Sequence, residues 1–156
     1  MFYSLSLQKS NFVAGRGSLP FLVADWKLPS WLDEAQNNEN FAVNRSTGSG
    51  IDGIKVLRSG VYFIYSNFVF GGKGKDCKYF LTYGSKHQAC QWIGVETVNQ
   101  TKGLSRRQPC SLGFTTALKT GDVLKIHLYN GERCQMGQST FRRVLSLAKL
   151  GVIKQS

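Results

Sequence analysis

An all-β sandwich or barrel is the fold class this sequence predicts, and three observations carry the prediction. The stretch Ser59-Gly60-Val61-Tyr62-Phe63-Ile64-Tyr65-Ser66-Asn67-Phe68-Val69-Phe70 is a run of β-branched and aromatic residues, the types that fit a pleated, half-buried surface. Short runs of similar character recur along the chain, separated by Gly-, Asn-, Asp- and Ser-bearing turn signals, the pattern of many short antiparallel strands. No sustained amphipathic helix and no internal repeat interrupts them.

The first strand opens the chain. Phe2, Ser4 and Ser6 alternate with Tyr3, Leu5 and Leu7, and the strand ends near Lys9. Residues 11–18 read as a loop around Arg16. Residues 21–27 predict a short strand carrying Trp26, Pro29 interrupts, and residues 31–35 suit one helical turn. Phe41-Ala42-Val43 reads as extended, followed by a Ser-Thr-Gly-Ser-Gly loop over residues 46–50 and a strand over 51–56.

In the central strand, periodicity sends Tyr62, Ile64, Ser66, Phe68 and Phe70 to one face and Val61, Phe63, Tyr65, Asn67 and Val69 to the other. Both faces are largely apolar. One fills the domain's own core, and the other calls for a second layer or a second chain. A basic loop over residues 71–76 follows. Strands are expected at 78–83 and 88–98 with a turn at 84–87, then at 110–118 and 123–129 around the turn Lys119-Thr120-Gly121-Asp122, and finally at 139–147.

At 156 residues the chain has the size of one domain spanning 1–156, long enough to bury a core without metal or disulfide help. It has no apolar run near the roughly 20 residues of a membrane helix and no signal peptide; Met1 leading almost directly into a strand reads as a fragment of a longer chain. The formal charge of +11 fits a solvated surface or attraction to polyanions. Cys77, Cys90, Cys110 and Cys134 form no short C-x-x-C pair, so zinc is not expected; they suit two disulfides and an oxidising compartment, the alternative being buried thiols. Asn44-Arg45-Ser46 and Asn99-Gln100-Thr101 are glycosylation sequons at Asn44 and Asn99. No Gly-x-Ser-x-Gly elbow, phosphate loop or H-E-x-x-H helix is present, and Asp25, Asp33 and Glu34 cluster without a histidine to complete a proton relay. No enzymatic role and no cofactor is expected.

The order Ser-Gly-Val-Tyr-Phe-Ile-Tyr-Ser at residues 59–66, after Ile51-Asp52-Gly53-Ile54-Lys55-Val56, resembles the central motif of tumour necrosis factor ligands. The resemblance continues through Leu112-Gly113, Leu118-Lys119-Thr120-Gly121-Asp122 and Ser139-Thr140-Phe141 to Leu147. It implies a jelly-roll β-sandwich assembling as a homotrimer, with Phe63, Tyr65 and Phe141 around the axis. It implies a cytokine that clusters a cysteine-rich receptor of the matching family, secreted or shed into the extracellular space from a type II membrane precursor. The family's receptor grooves fall here on Arg16, on Tyr83, Lys86, His87 and Gln88, and on Arg133 and Met136. Cys90 with Cys110 resembles a bridge found in several members, which leaves Cys77 with Cys134, though four cysteines permit three pairings. Because jelly-roll loops gather at one end, Lys73, Lys75, Lys102, Arg106, Arg107 and Arg133 form a candidate polyanion site, with heparan sulfate the extracellular candidate and no nucleic acid expected.

The chain departs from the family pattern in three places. Ser111 stands where an aromatic residue is usual, Asn67 replaces the common Gln, and Arg142-Arg143 occupies an aromatic–Gly position unless the last strand is offset. Two other readings remain at this stage: a C1q-like trimeric module, and a carbohydrate-binding sandwich in which Trp26, Trp31 and Trp92 stack on sugar rings.

Overall fold

The computed structural model describes residues 2–7, 21–24, 26–28, 39–45, 50–71, 77–92, 108–130, 135–136 and 144–151. These form the strands β1 (Phe2–Leu7), β2 (Phe21–Leu22), β3 (Trp26–Lys27), β4 (Phe41–Asn44), β5 (Gly53–Val56), β6 (Gly60–Gly71), β7 (Cys77–Tyr83), β8 (Lys86–Trp92), β9 (Gln108–Leu118), β10 (Val123–Asn130), β11 (Gln135–Met136) and β12 (Val144–Gly151). No helix occurs among the described residues.

Two antiparallel sheets of six strands stack as a jelly roll. In the first, β6 is flanked by β9 along one edge and by β12 and then β11 along the other, with β1 and β3 beyond β12. In the second the order is β4–β5–β10–β7–β8, with β2 also on β10. The segment expected as one strand over 21–27 is divided between the two sheets: Phe21 and Leu22 pair with β10, whereas Trp26 and Lys27 pair with β1. The hairpin between β7 and β8 turns on Gly84 and Ser85 alone, shorter than the expected four-residue turn. Gly84 has φ +60°, the left-handed conformation that tight hairpin turns demand and that side chains resist. The described part of the last strand spans Val144–Gly151, four residues past the expected end at 147; residues 139–143, with Arg142 and Arg143, lie outside the described part.

The core lies where strand parity places it, save that Ser146 of β12 is buried although it belongs to the outward rows. Tyr62, Ile64, Ser66 and Phe68 of β6 are fully buried, as are Tyr79 and Leu81 of β7, Leu124, Ile126 and Leu128 of β10, and Leu145 and Leu147 of β12. Each large apolar side chain buried in this way stabilises by about 1.5–3 kcal/mol. Phe68 binds the layers together through its ring, 4.6 Å from Tyr79 across the sandwich and 6.0 Å edge-on from Trp26. Gly53 has no room for a side chain, because the Leu124 carbonyl of β10 occupies that space.

One polar bridge spans the core. The Tyr79 hydroxyl donates to the Cys110 carbonyl at 3.0 Å and meets Ser66 Oγ at 2.9 Å. All three residues are buried, and burial pushes the Tyr79 phenol well above the usual tyrosine range. The bridge explains a serine at an inward position of the central strand: its hydroxyl has a partner on the facing sheet.

Candidate functional site

The outward face of the first sheet carries two of the three residues expected at the trimer axis, Phe63 and Tyr65. Val61, Phe63, Tyr65 and Asn67 of β6 alternate with the buried set and are only half-buried, as parity predicts. The register surrounds the two rings with small groups: Tyr65 lies opposite Gly113 and Ser146, and Phe63 opposite Thr115 and Ala148. A Cβ at Gly113 would stand 3.6 Å from the Phe63 ring and 3.8 Å from the Tyr65 ring. The rings therefore rise from a floor of Gly, Ser, Thr and Ala without bulky neighbours in those rows. Phe141, the third expected member, lies outside the described residues.

Sequence reading did not foresee the small-residue floor, although a signal was present. Ser111, Gly113, Thr115 and Ala117 occupy every second position of β9 and are all exposed, whereas Leu112, Phe114, Thr116 and Leu118 turn inward. Nor did it foresee that two of the departures from the family pattern meet. Asn67 and Ser111 are cross-strand partners, and Ser111 Oγ donates to Asn67 Oδ1 at 2.8 Å.

The second expected surface is the tip of the β7–β8 hairpin. Lys86, His87 and Gln88 are exposed there. Tyr83 is not. It is 6% exposed, its ring packs 5.3 Å from Phe114, and its hydroxyl accepts from Gln88 Nε2. Tyr83 continues the inward series Tyr79, Leu81 of β7, so the expected surface contact is corrected to a core residue. His87 leans edge-on against Phe80, and Lys78 Nζ sits 5.5 Å from the same ring. Met136 belongs to β11, opposite Phe70. Arg16 and Arg133 lie outside the described residues, as do Lys73, Lys75, Lys102, Arg106 and Arg107 of the expected polyanion site.

Cys90 of β8 and Cys110 of β9 are joined by a disulfide with Cα atoms 6.0 Å apart. Among the described residues β8 and β9 are edge strands of different sheets, and the bond ties one flank of the sandwich together. Cys134 lies outside the described residues and Cys77 is described only as a strand position. Asn44 is half-buried, and its Nδ2, the atom a glycan would occupy, donates to the buried Asp52 at 2.7 Å. Asn99 is outside the described residues. Trp26 is 2% exposed in the core, which takes it away from the sugar-stacking reading; Trp31 and the side chain of Trp92 are not described. Among the described residues no group of His, Cys, Asp and Glu is placed to hold a metal ion. His127 faces outward on β10, with burial first and Lys125 second lowering its pKa.

No family model and no curated protein matches the sequence. Solved structures do match. The Eiger TNF of S. frugiperda superposes with a TM-score of 0.64 at 16% identity, covering 99% of this chain and 96% of that one. Murine APRIL at pH 8.0 gives 0.60 at 14% identity, covering 96% of this chain and 100% of that one, and at pH 5.0 gives 0.58 at 13%. The fold is that of tumour necrosis factor ligands.

Proposed function

We propose that this chain, folded as a tumour necrosis factor-like jelly roll, is a cytokine ligand that assembles as a homotrimer and signals by clustering a cysteine-rich receptor ectodomain. The observation that carries the reading is the outer face of the first sheet, where Phe63 and Tyr65 stand half-buried among Gly113, Ser146, Thr115 and Ala148. Two aromatic rings per protomer on a floor of small residues supply the apolar area and close approach that a stable interface between copies needs. The Cys90–Cys110 disulfide supports an oxidising location, a ligand secreted or shed from a membrane precursor.

Receptor contact belongs in this reading to the grooves between copies. Lys86 and His87 are exposed at the hairpin tip, where a lysine steers an acidic receptor surface into place. Arg16, Gln88, Arg133 and Met136 remain assigned to the same grooves, and the basic loops to heparan sulfate, on the strength of the sequence and its charge of +11.

The test has two stages. Light scattering at micromolar concentration should give three times the 17.4 kDa protomer mass; a stable monomer ends the reading. A panel of cysteine-rich receptor ectodomains is then presented to the assembled chain. Lys86→Glu should leave the assembly intact and weaken capture by the matching receptor by at least about 1 kcal/mol. Capture by none of the panel counts against a cytokine role and favours the C1q-like alternative.

A further inference from the structure

On the outer face of the first sheet the register lays residues out in rows. Gly113, Tyr65 and Ser146 form one row, and Thr115, Phe63 and Ala148 the next. Each is an aromatic ring between small residues. The row Ser111, Asn67, Val144 is different, because its centre is an amide. Ser111 Oγ donates to Asn67 Oδ1. That bond engages the side-chain carbonyl and leaves the two N–H donors of the same group. Among the described residues none offers these donors a side-chain acceptor, and Val144, on the other side of the row, has none. In a single protomer water reaches the half-exposed Asn67 and serves those donors. Covering the face removes the water, and a buried donor without an acceptor is strongly disfavoured. Two similar aromatic rows tolerate a slip of one row between facing copies. An amide row does not, because only one alignment gives its donors a partner.

We infer that Asn67 fixes the register and the copy number of this chain's self-association, its amide N–H groups meeting an acceptor on the neighbouring copy. The inference rests on the self-association proposed above and names the side chain that decides its form. Ser111 acts through Asn67: by occupying the carbonyl it orients the amide so that the nitrogen is the end left for the partner. In helical assemblies a single buried asparagine plays the same part, giving up stability for one defined arrangement.

The experiment compares the full chain with Asn67→Leu and Asn67→Asp by native mass spectrometry and by light scattering on dilution, with circular dichroism following the protomer fold. Position 67 alternates away from the buried Ser66 and Phe68, so neither change enters the core. Asn67→Leu should assemble more tightly, its dilution midpoint falling at least about tenfold as the unsatisfied-donor requirement disappears, and as a mixture of copy numbers. Asn67→Asp keeps an acceptor for Ser111 but has no N–H; its midpoint should rise at least about a hundredfold at pH 7, and assembly should return below about pH 4, where a protonated carboxyl again offers a donor. A single unchanged copy number in Asn67→Leu, or wild-type assembly of Asn67→Asp at pH 7, overturns the assignment. Assembled wild type with indifferent variants ends this inference alone, whereas monomeric wild type ends it together with the proposed function.

Discussion

In the homotrimer proposed above, Phe63→Ala should separate folding from assembly, because the ring has burial left to gain when copies meet. Phe63 is half-buried in the isolated protomer. Truncating a fully buried phenylalanine costs about 3–5 kcal/mol, so roughly 2 kcal/mol is lost from the protomer and roughly 2 kcal/mol per copy remains to be lost on assembly. For three copies the second part sums to about 6 kcal/mol, or about four decades in the trimer dissociation constant. That constant has units of concentration squared, so the dilution midpoint moves by its square root, about a hundredfold. Light scattering across a dilution series reads the midpoint, and urea unfolding at one fixed protomer concentration reads the fold. A midpoint that stays put while the fold weakens would refute the reasoning: the ring would then be ordinary packing within one protomer.

Removing the Tyr79 hydroxyl (Tyr79→Phe) strands Ser66 Oγ in the core and should destabilise by about 1–3 kcal/mol; adding Ser66→Ala should cost less than the two separate losses, and additivity within about 0.5 kcal/mol in urea unfolding would deny the bridge. Replacing Cys90 and Cys110 together by Ser should lower stability by about 3 kcal/mol for a bond joining residues 20 apart; peptide mapping without reductant that lacks the Cys90–Cys110 link would remove the basis. The folded-state pKa of His127 is lowered, by burial and then by Lys125, so the unfolded chain takes up the proton first. Its contribution is therefore intact above the unfolded value near 6.5 and declines as pH falls from there toward the lower folded value. In His127→Gln, unfolding midpoints between pH 7 and 5 should fall less than in the wild type; parallel curves would show that His127 does not titrate differently on folding.

Where side-chain parity governs, the sequence was readable. The alternation in β6 assigned Tyr62, Ile64 and Phe68 to the core and Phe63 and Tyr65 to the opposite face without reference to any other strand. The same rule places Tyr83 inward from Tyr79 and Leu81; its expected place in a receptor groove came from the family resemblance, and a residue beside a turn can still complete a core. Parity placed Ser66 inward, but its partner, Tyr79, is 13 residues away on the other sheet, and local pattern carries no information about such a pairing. The division of residues 21–27 between two sheets was hidden for a related reason: a pair of two-residue strands has too few positions to show a period. Asn67 and Ser111 were each visible as oddities, but only the register of β6 against β9 makes them a pair.

The bond between Cys90 and Cys110 has a consequence beyond folding stability. Edge strands carry a row of unpaired backbone groups that a stranger's chain can zip onto. Among the described residues β8 and β9 are such edges, on different sheets of the same flank, and the disulfide holds the two against each other. Reduction would leave the interior pairing of both sheets in place while letting that flank gape, so a reduced sample should be threatened by fibril-like accretion before it is threatened by unfolding. Thiol conditions during handling thus decide whether that flank stays closed to a foreign strand.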